Sequence, residues 1–274
     1  MQRAKCKSFI VMSFINKKNV ILRFKKNVIF MLRKLGDYLI LMWQAFSKPD
    51  KALVFRKRLL HEFYNLGFTS IGIVLILSVF VGAVATILVA YNTDNPLLPE
   101  KLIGFSARQM IVLEFSPTMI SLILAGKLGS QIASELGTMR VTQQIDALKV
   151  MGINPANYLI LPKIISCLFF IPVLIVFSIV IGILGGWLAC VFTGVITPTN
   201  YVVGLRSWFE PFSLTFAMIK TVVFAFLITS RSSYIGYNVK GGSVEVGKAS
   251  TQSVVIGSIA IIISDLILTQ MLLT

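Results

Sequence analysis

Long apolar stretches recur along the chain after residue 65, and short polar segments separate them. A helix needs ~20 mainly apolar residues to span a bilayer. Five stretches meet this length and carry few charges; we call them spans one to five. They are Leu66–Tyr91, Gln109–Ser134, about Asn157–Gly194, Pro211–Ser230 and Ala249–Thr274. The pattern predicts an all-α integral membrane protein with five transmembrane helices.

Upstream of these spans, the apolar positions recur at helical spacing. The whole chain is therefore predicted to have three parts: a basic N-terminal extension over 1–30, interfacial and elbow helices over 31–65, and a five-span domain over 66–274. A helix lying on the membrane surface fits the spacing, and so does a helix packed on its own spans. Both can hold. The apolar positions are Val28, Met31, Leu35, Tyr38, Leu39, Met42 and Phe46.

A polar segment of helical period, about 135–152, lies between spans two and three. Its apolar positions are Val141, Ile145, Leu148 and Met151. Their spacing predicts an amphipathic helix. Gly152 suits the end of that helix, and Asn154 followed by Pro155 suits the start of the next one. The pattern fits either a membrane-surface helix or a lever that contacts a cytoplasmic protein, and the mixed charges of its polar face favour the protein.

Positive charge is concentrated in the first 65 residues, which hold 15 Lys and Arg against 3 acidic residues, or +12 of the net +15. A nucleic-acid-binding arm and a cytoplasmic flank facing anionic lipid both show such a bias. The apolar body that follows favours the flank, so no nucleic acid is expected as a partner. The positive-inside rule then places the N-terminus in the cytoplasm. The loops after spans two and four carry the remaining cytoplasmic charge, namely Arg140, Lys149, Lys163, Arg231, Lys240 and Lys248.

The sequence lacks the residue patterns of catalytic, metal and cofactor sites. Its three cysteines have no metal-ligand or disulfide spacing, and its one histidine, His61, has no nucleophile partner. The segment Gly242–Ala249 resembles a phosphate-binding loop, but Ala249 stands where Ser or Thr must hold magnesium. We therefore predict no enzyme activity, no metal and no cofactor.

Two carboxylates lie within the predicted spans, Glu114 in span two and Asp265 in span five. A charge at membrane depth is costly and indicates a functional site. Glu114 is either protonated or neutralised by a cation such as Lys101 or Arg108. Lys220 in span four is a candidate partner for Asp265 in span five, although the two lie at different apparent depths if the spans start as predicted.

Several segments together closely resemble the MlaE/YrbE-type permease family over roughly residues 35–274. The block Glu135–Leu148 (ELGTMRVTQQIDAL) is the most specific of them. The others are Leu113–Pro117 (LEFSP), Ala125–Ser130 (AGKLGS), Gly185–Gly186, Gly236–Gly242 (GYNVKGG) and Asp265–Thr269 (DLILT). One departure is Leu113, since many members of the family have Arg there.

The resemblance implies a homodimeric permease subunit of an ABC transporter that moves lipids, phospholipids in particular, between membranes of the cell envelope. Its implied partners are a cytoplasmic ATPase, a substrate-binding protein with MCE domains, a second copy of the chain and lipid. Its implied location is the bacterial inner membrane. The segment about 135–152 becomes the coupling helix, with Glu135, Gly137, Thr138, Arg140, Gln144 and Asp146 contacting the ATPase. The implied lipid-binding residues are Glu114, Phe80, Leu88 and Pro117.

Two other classes of function fit the apolar composition. An ion-coupled secondary transporter would use Glu114 and Asp265 as coupling sites, although five spans do not divide into the repeated halves typical of such proteins. A membrane enzyme would require catalytic residues that the sequence does not supply.

Overall fold

The computed structural model describes residues 32–47, 52–93, 99–208 and 210–273. Within these ranges all regular structure is helical, and five helices are long and apolar enough to cross a membrane. The predicted all-α, five-span fold is confirmed. The five helices are Val54–Asn92, Lys101–Val141, Pro155–Thr193, Pro211–Tyr237 and Ser243–Leu272.

The predicted interfacial helix is present over 32–45, in a first compact unit that ends at Ser47. The spans belong to a second unit that begins at Lys48. Leu35, Leu39 and Trp43 are exposed along the helix. The predicted extension over 1–30, together with Met31, lies outside the described residues.

Most spans are longer than their apolar stretches predict. The predicted elbow helix, Ala52–Glu62, joins the rest of span one (Thr69–Asn92) through the π-helical turn Phe63–Phe68 without a loop. Span two contains two further π-helical segments, Ile111–Met119 and Ala125–Gly129. Hydropathy marks where a helix lies in lipid, whereas the hydrogen-bonded helix continues into water wherever its residues allow it.

Span three begins and ends as the sequence predicts. The side chain of Asn154 accepts hydrogen bonds from the backbone N–H groups of Ala156 (3.1 Å) and Asn157 (3.5 Å), and Pro155 occupies the first turn. Gly194 ends the helix with φ of 64°, a conformation that glycine adopts easily.

Small residues bring spans one and three into close contact. A Cβ atom on Gly82 would lie 1.9 Å from the carbonyl oxygen of Gly182, so no larger residue fits there. The hydroxyl of Ser78 donates to that of Ser178 at 2.9 Å in the same seam. The small residues of these two spans therefore serve packing within the chain.

The connection before span four differs from the predicted loop, because it contains a helix, Pro198–Arg206. Tyr201 is fully buried in this helix, and burial raises the pKa of its phenol to about 12. Arg108 of span two donates to the carbonyls of Leu205, Ser207 and Trp208, which follow or end the helix. These bonds hold the connection on the first turns of span two.

The segment that resembles a phosphate-binding loop is helical. Gly241, with φ of 120°, forms the turn, and span five begins at Ser243 rather than at Ala249 as predicted. Lys248 pairs with Glu245 across one helical turn at 2.7 Å. Residues 243–248 are therefore the first turns of a span.

Candidate functional site

The predicted coupling segment consists of two helical pieces rather than one helix over 135–152. Residues 135–141 are the end of span two, which stops at Val141. Gln143 then turns the chain with φ of 60°, and a short helix follows over Gln144–Val150. Gly152, with φ of 75°, ends it as predicted.

An ion pair joins these two pieces. Nη1 of Arg140, at the end of span two, lies 2.7 Å from Oδ1 of Asp146 in the short helix. Lys149 lies 3.6 Å from the same oxygen. Ile145 of the short helix is fully buried, whereas Val150 and Met151 at the end of the helix are exposed. The short helix is thus held on its inner face and presents both apolar and charged groups outward.

The other predicted coupling residues divide between the surface and the interior. Thr138 and Gln144 are exposed. Gly137 is buried, and a Cβ atom there would lie 3.2 Å from a methyl of Val246 in span five, so this glycine serves close packing. Glu135 turns inward, where Oε2 lies 2.6 Å from Nζ of Lys163.

Lys163 is a buried cation between two carboxylates at this end of the bundle. Its ammonium also lies 2.8 Å from both oxygens of Glu62. Lys163 is 0% exposed, Glu62 2% and Glu135 34%. From the sequence, Lys163 counts among the charges of the cytoplasmic loop, although the predicted span three begins at about Asn157. The structure places Lys163 within span three, which begins eight residues before it at Pro155.

A second buried cation, Lys220, lies between the two intramembrane carboxylates. Its Nζ atom is 2.9 Å from Oε1 of Glu114 and 2.6 Å from Oδ1 of Asp265. The hydroxyl of Thr118 lies 3.3 Å from Glu114 and 3.2 Å from Asp265. The candidate pair between Lys220 and Asp265 is therefore present, despite their different apparent depths in the predicted spans.

Lys220, rather than Lys101 or Arg108, is the cation at Glu114 among the described ion pairs. Its ammonium also donates to the carbonyl of Leu113 at 3.2 Å. Pro117, one turn later, has no N–H to donate to that carbonyl. Pro117 thus contributes to the cluster through the backbone, while its ring is buried.

An apolar hollow of about 280 Å³ lies between spans one and two. Of the predicted lipid-binding residues, Phe80 lines this hollow, whereas Leu88 lies two turns further along span one and is not among the lining residues. Glu114 is adjacent in sequence to Phe115 of the lining, and its side chain is 39% exposed. The lining residues are Phe80, Val81, Val84, Phe115 and Met119.

Sequence reasoning missed Lys163 and Glu62 as partners and underrated Lys220. The available signal was the same for all three: a charge inside or beside an apolar stretch must find a counter-charge. The sequence alone does not identify the counter-charge, because the partners of Lys163 and Lys220 lie 28 to 106 positions away on other helices. Within the described residues, no group of three or more metal-ligating side chains is present.

Comparison with known proteins decides the family. The family model for the permease MlaE matches residues 59–271. The chain belongs to the MlaE permease family. A probable ABC transporter permease protein of Rickettsia prowazekii is 31% identical over 246 residues, which are 90% of this chain and 95% of the relative.

Members of this family occur in distant organisms. A probable ABC transporter permease protein of Synechocystis is 30% identical, over 84% of this chain and 87% of its own length. The chloroplastic protein TRIGALACTOSYLDIACYLGLYCEROL 1 of Arabidopsis thaliana is 31% identical, over 84% of this chain and 66% of its own. This MlaE-family permease is a multi-pass membrane protein of the ABC transporter class, which implies an ATPase as partner.

Proposed function

We propose that this MlaE-family chain is the permease subunit of an ABC transporter that moves lipids, phospholipids in particular, between membranes of the cell envelope. The observation that carries the proposal is the apolar hollow between spans one and two, with the partly exposed carboxylate of Glu114 beside it. Lipid-sized ligands bind in apolar clefts that carry a few polar groups for orientation. The Arabidopsis relative is also named for a lipid.

The cluster around Glu114 supplies the polar part of this site. One ammonium lies between two carboxylates, so Glu114 keeps an oxygen, Oε2, that the ammonium does not bind. A headgroup that donates hydrogen bonds, such as an amine or a hydroxyl, fits this oxygen. The acyl chains would lie against Phe80, Val84 and Phe115.

A separate ATPase supplies the energy, as the ABC transporter class of its relatives implies. The exposed side of the short helix Gln144–Val150, with the end of span two, is the surface that contacts it. Thr138, Arg140, Gln144 and Asp146 lie on this surface. The protein resides in the bacterial inner membrane with its N-terminus in the cytoplasm, where the ATPase has access to it.

A second copy of the chain and an MCE-domain protein complete the transporter. Span five supports the dimer, because only 11% of its most apolar window is buried, against 33–50% in the other four spans. A pair of chains covers such a face and encloses a cavity in which lipid is held. The MCE-domain protein accepts or delivers the lipid on the outer side.

Reconstitution of the chain with its ATPase in vesicles tests this function. Mass spectrometry of the purified complex should show bound phospholipid, and labelled phospholipid should move only when ATP is hydrolysed. The alternative, an ion-coupled transporter, is favoured by the paired carboxylates Glu114 and Asp265. Movement of lipid or solute driven by a proton gradient without ATP would support that alternative and contradict the proposal.

A further inference from the structure

The buried cluster of Glu62, Lys163 and Glu135 joins three parts of the chain that are far apart in sequence. Glu135 lies near the end of span two, Lys163 lies in the third turn of span three, and Glu62 is the last residue before the π-helical turn of span one. The ammonium lies 2.6–2.8 Å from each of the three oxygens that it binds. The cluster therefore joins spans one, two and three at one place.

Two of these residues lie on the helices that flank the short helix Gln144–Val150. We call the end of span two, the short helix and the start of span three the hairpin, and the two spans its stems. Glu135 precedes the end of span two by six residues, about 9 Å of helix, and Lys163 follows the start of span three by eight residues, about 12 Å. Their ion pair closes the hairpin at similar depth on both stems. Together with the bond from Arg140 to Asp146, it ties the end of span two to the short helix and to the start of span three.

The third residue links this hairpin to span one. Glu62 binds Lys163 through both carboxylate oxygens, and the π-helical turn Phe63–Phe68 follows directly. π-helical turns frequently occur at functional sites in helices. Beyond the turn, the same helix runs to Phe80, Val81 and Val84 of the apolar hollow.

Stability alone does not account for charges here. Apolar residues of similar volume often replace a buried ion pair without loss of stability. An ion pair adds a defined partner and a defined direction of attraction. Displacement of one carboxylate of the cluster therefore pulls on the ammonium of Lys163, and the ammonium in turn pulls on the second carboxylate. Coupling between distant sites travels through such contiguous networks.

We propose that Lys163 is a positioning residue that transmits movement of the hairpin around Gln144–Val150 to span one, and so to the apolar hollow. The inference rests on the proposed function, in which an ATPase moves this hairpin. ATP-driven displacement of Glu135 shifts Lys163, and Lys163 shifts Glu62 and the helix that follows it.

The first test measures coupling in the reconstituted complex. Lys163→Met should lower the lipid moved per ATP hydrolysed by about tenfold, while Lys163→Arg, which keeps the charge, should change it by less than about twofold. Lys248→Met is the matched control, because it removes an exposed ion pair at the same end of the bundle. Parallel loss of hydrolysis and transport in Lys163→Met, or no loss of either, would contradict the proposal.

Glu62→Gln is the second variant, since it leaves the bond between Lys163 and Glu135 intact and weakens only the link to span one, by removing its negative charge and one of its two acceptor oxygens. It should uncouple in the same way. If Lys163→Met fails to assemble, Glu62→Gln decides the question. Failure of both variants to assemble would make the cluster a requirement for folding and overturn the proposal.

A readout that does not involve lipid separates this inference from the proposed function. In a chain with Cys6→Ser, Phe80→Cys reports on the hollow, because Cys167 and Cys190 are buried. ATP should change the rate at which a maleimide modifies this cysteine, and Lys163→Met should abolish that change. Val180→Cys, on the exposed face of span three, should react equally with and without ATP. An unchanged ATP effect in Lys163→Met contradicts the inference even if no lipid moves, whereas absent lipid movement in the unsubstituted complex contradicts only the proposed function.

Discussion

The Nζ atom of Lys220 in span four lies 2.6 Å from Oδ1 of Asp265 in span five. Lys220 is fully buried, and its second ion pair, to Glu114 of span two, is 2.9 Å long. One ammonium thus holds three spans together. Removal of the cation leaves two carboxylates without a counter-charge.

Lys220→Met should therefore destabilise the bundle by about 3 kcal/mol, at the lower end for a broken buried pair because Glu114 is partly exposed. Thermal unfolding of the purified protein in detergent measures this change. The triple variant Glu114→Gln, Lys220→Met, Asp265→Asn removes all three charges and should recover most of the loss. A triple variant no more stable than Lys220→Met would show that the loss comes from packing rather than from charge.

The depth at which these residues meet shows where sequence reasoning stops. Lys220 follows the start of span four by nine residues, and Asp265 precedes the end of span five by seven, about 13 Å and about 10 Å of helix. The two spans run in opposite directions, so these depths nearly agree. Counted from the opposite ends of the two spans, the predicted bounds Ser230 and Ala249 put Lys220 10 residues and Asp265 16 residues into their spans, which made the two depths look different.

Features that depend on neighbouring residues were predicted from the sequence, whereas features that depend on contacts between distant helices were not. Asn154, Pro155 and Gly194 act on backbone groups within four residues, so their role at the ends of span three follows from sequence. The five spans follow from apolar length alone. The helix Pro198–Arg206 and the partners of Lys163 do not, because both depend on contacts with other helices.

The ion pair between Arg140 and Asp146 gives a second prediction. Both side chains are partly exposed, so the pair contributes only about 0.5 kcal/mol to stability, and Arg140→Ala or Asp146→Ala should fold normally. Each should lower the lipid moved per ATP hydrolysed, because the short helix loses its bond to span two. Lipid that co-purifies with the complex should be unchanged.

The charge-swapped double variant, Arg140→Asp with Asp146→Arg, is the control for this pair. It should recover part of the coupling if the bond between the two helical pieces is what matters. No recovery would show that one of the two residues contacts the ATPase directly. Normal coupling in both single variants would contradict a coupling role for this segment.

The apolar hollow gives a third prediction. Val84→Trp fills space that an acyl chain would occupy, so less phospholipid should co-purify with the complex. Val180→Trp is a matched control, since both valines are 53% exposed but Val180 is outside the lining. Lipid per complex is measured by mass spectrometry. Equal lipid in the two variants would contradict binding in the hollow.

The seam between spans one and three gives the last prediction. A Cβ atom on Gly82 would lie 1.9 Å from the carbonyl oxygen of Gly182, which belongs to a helix backbone and moves only if the span moves. Gly82→Ala should destabilise the protein by about 1–3 kcal/mol, the usual cost of overpacking. Gly72→Ala in the same span is the control, because a Cβ atom there would have no neighbour within 4 Å, and alanine favours the helix. Thermal unfolding in detergent compares the two. Equal stability of both variants would mean that spans one and three separate without cost at Gly82, and that the small residues of this seam do not hold them together.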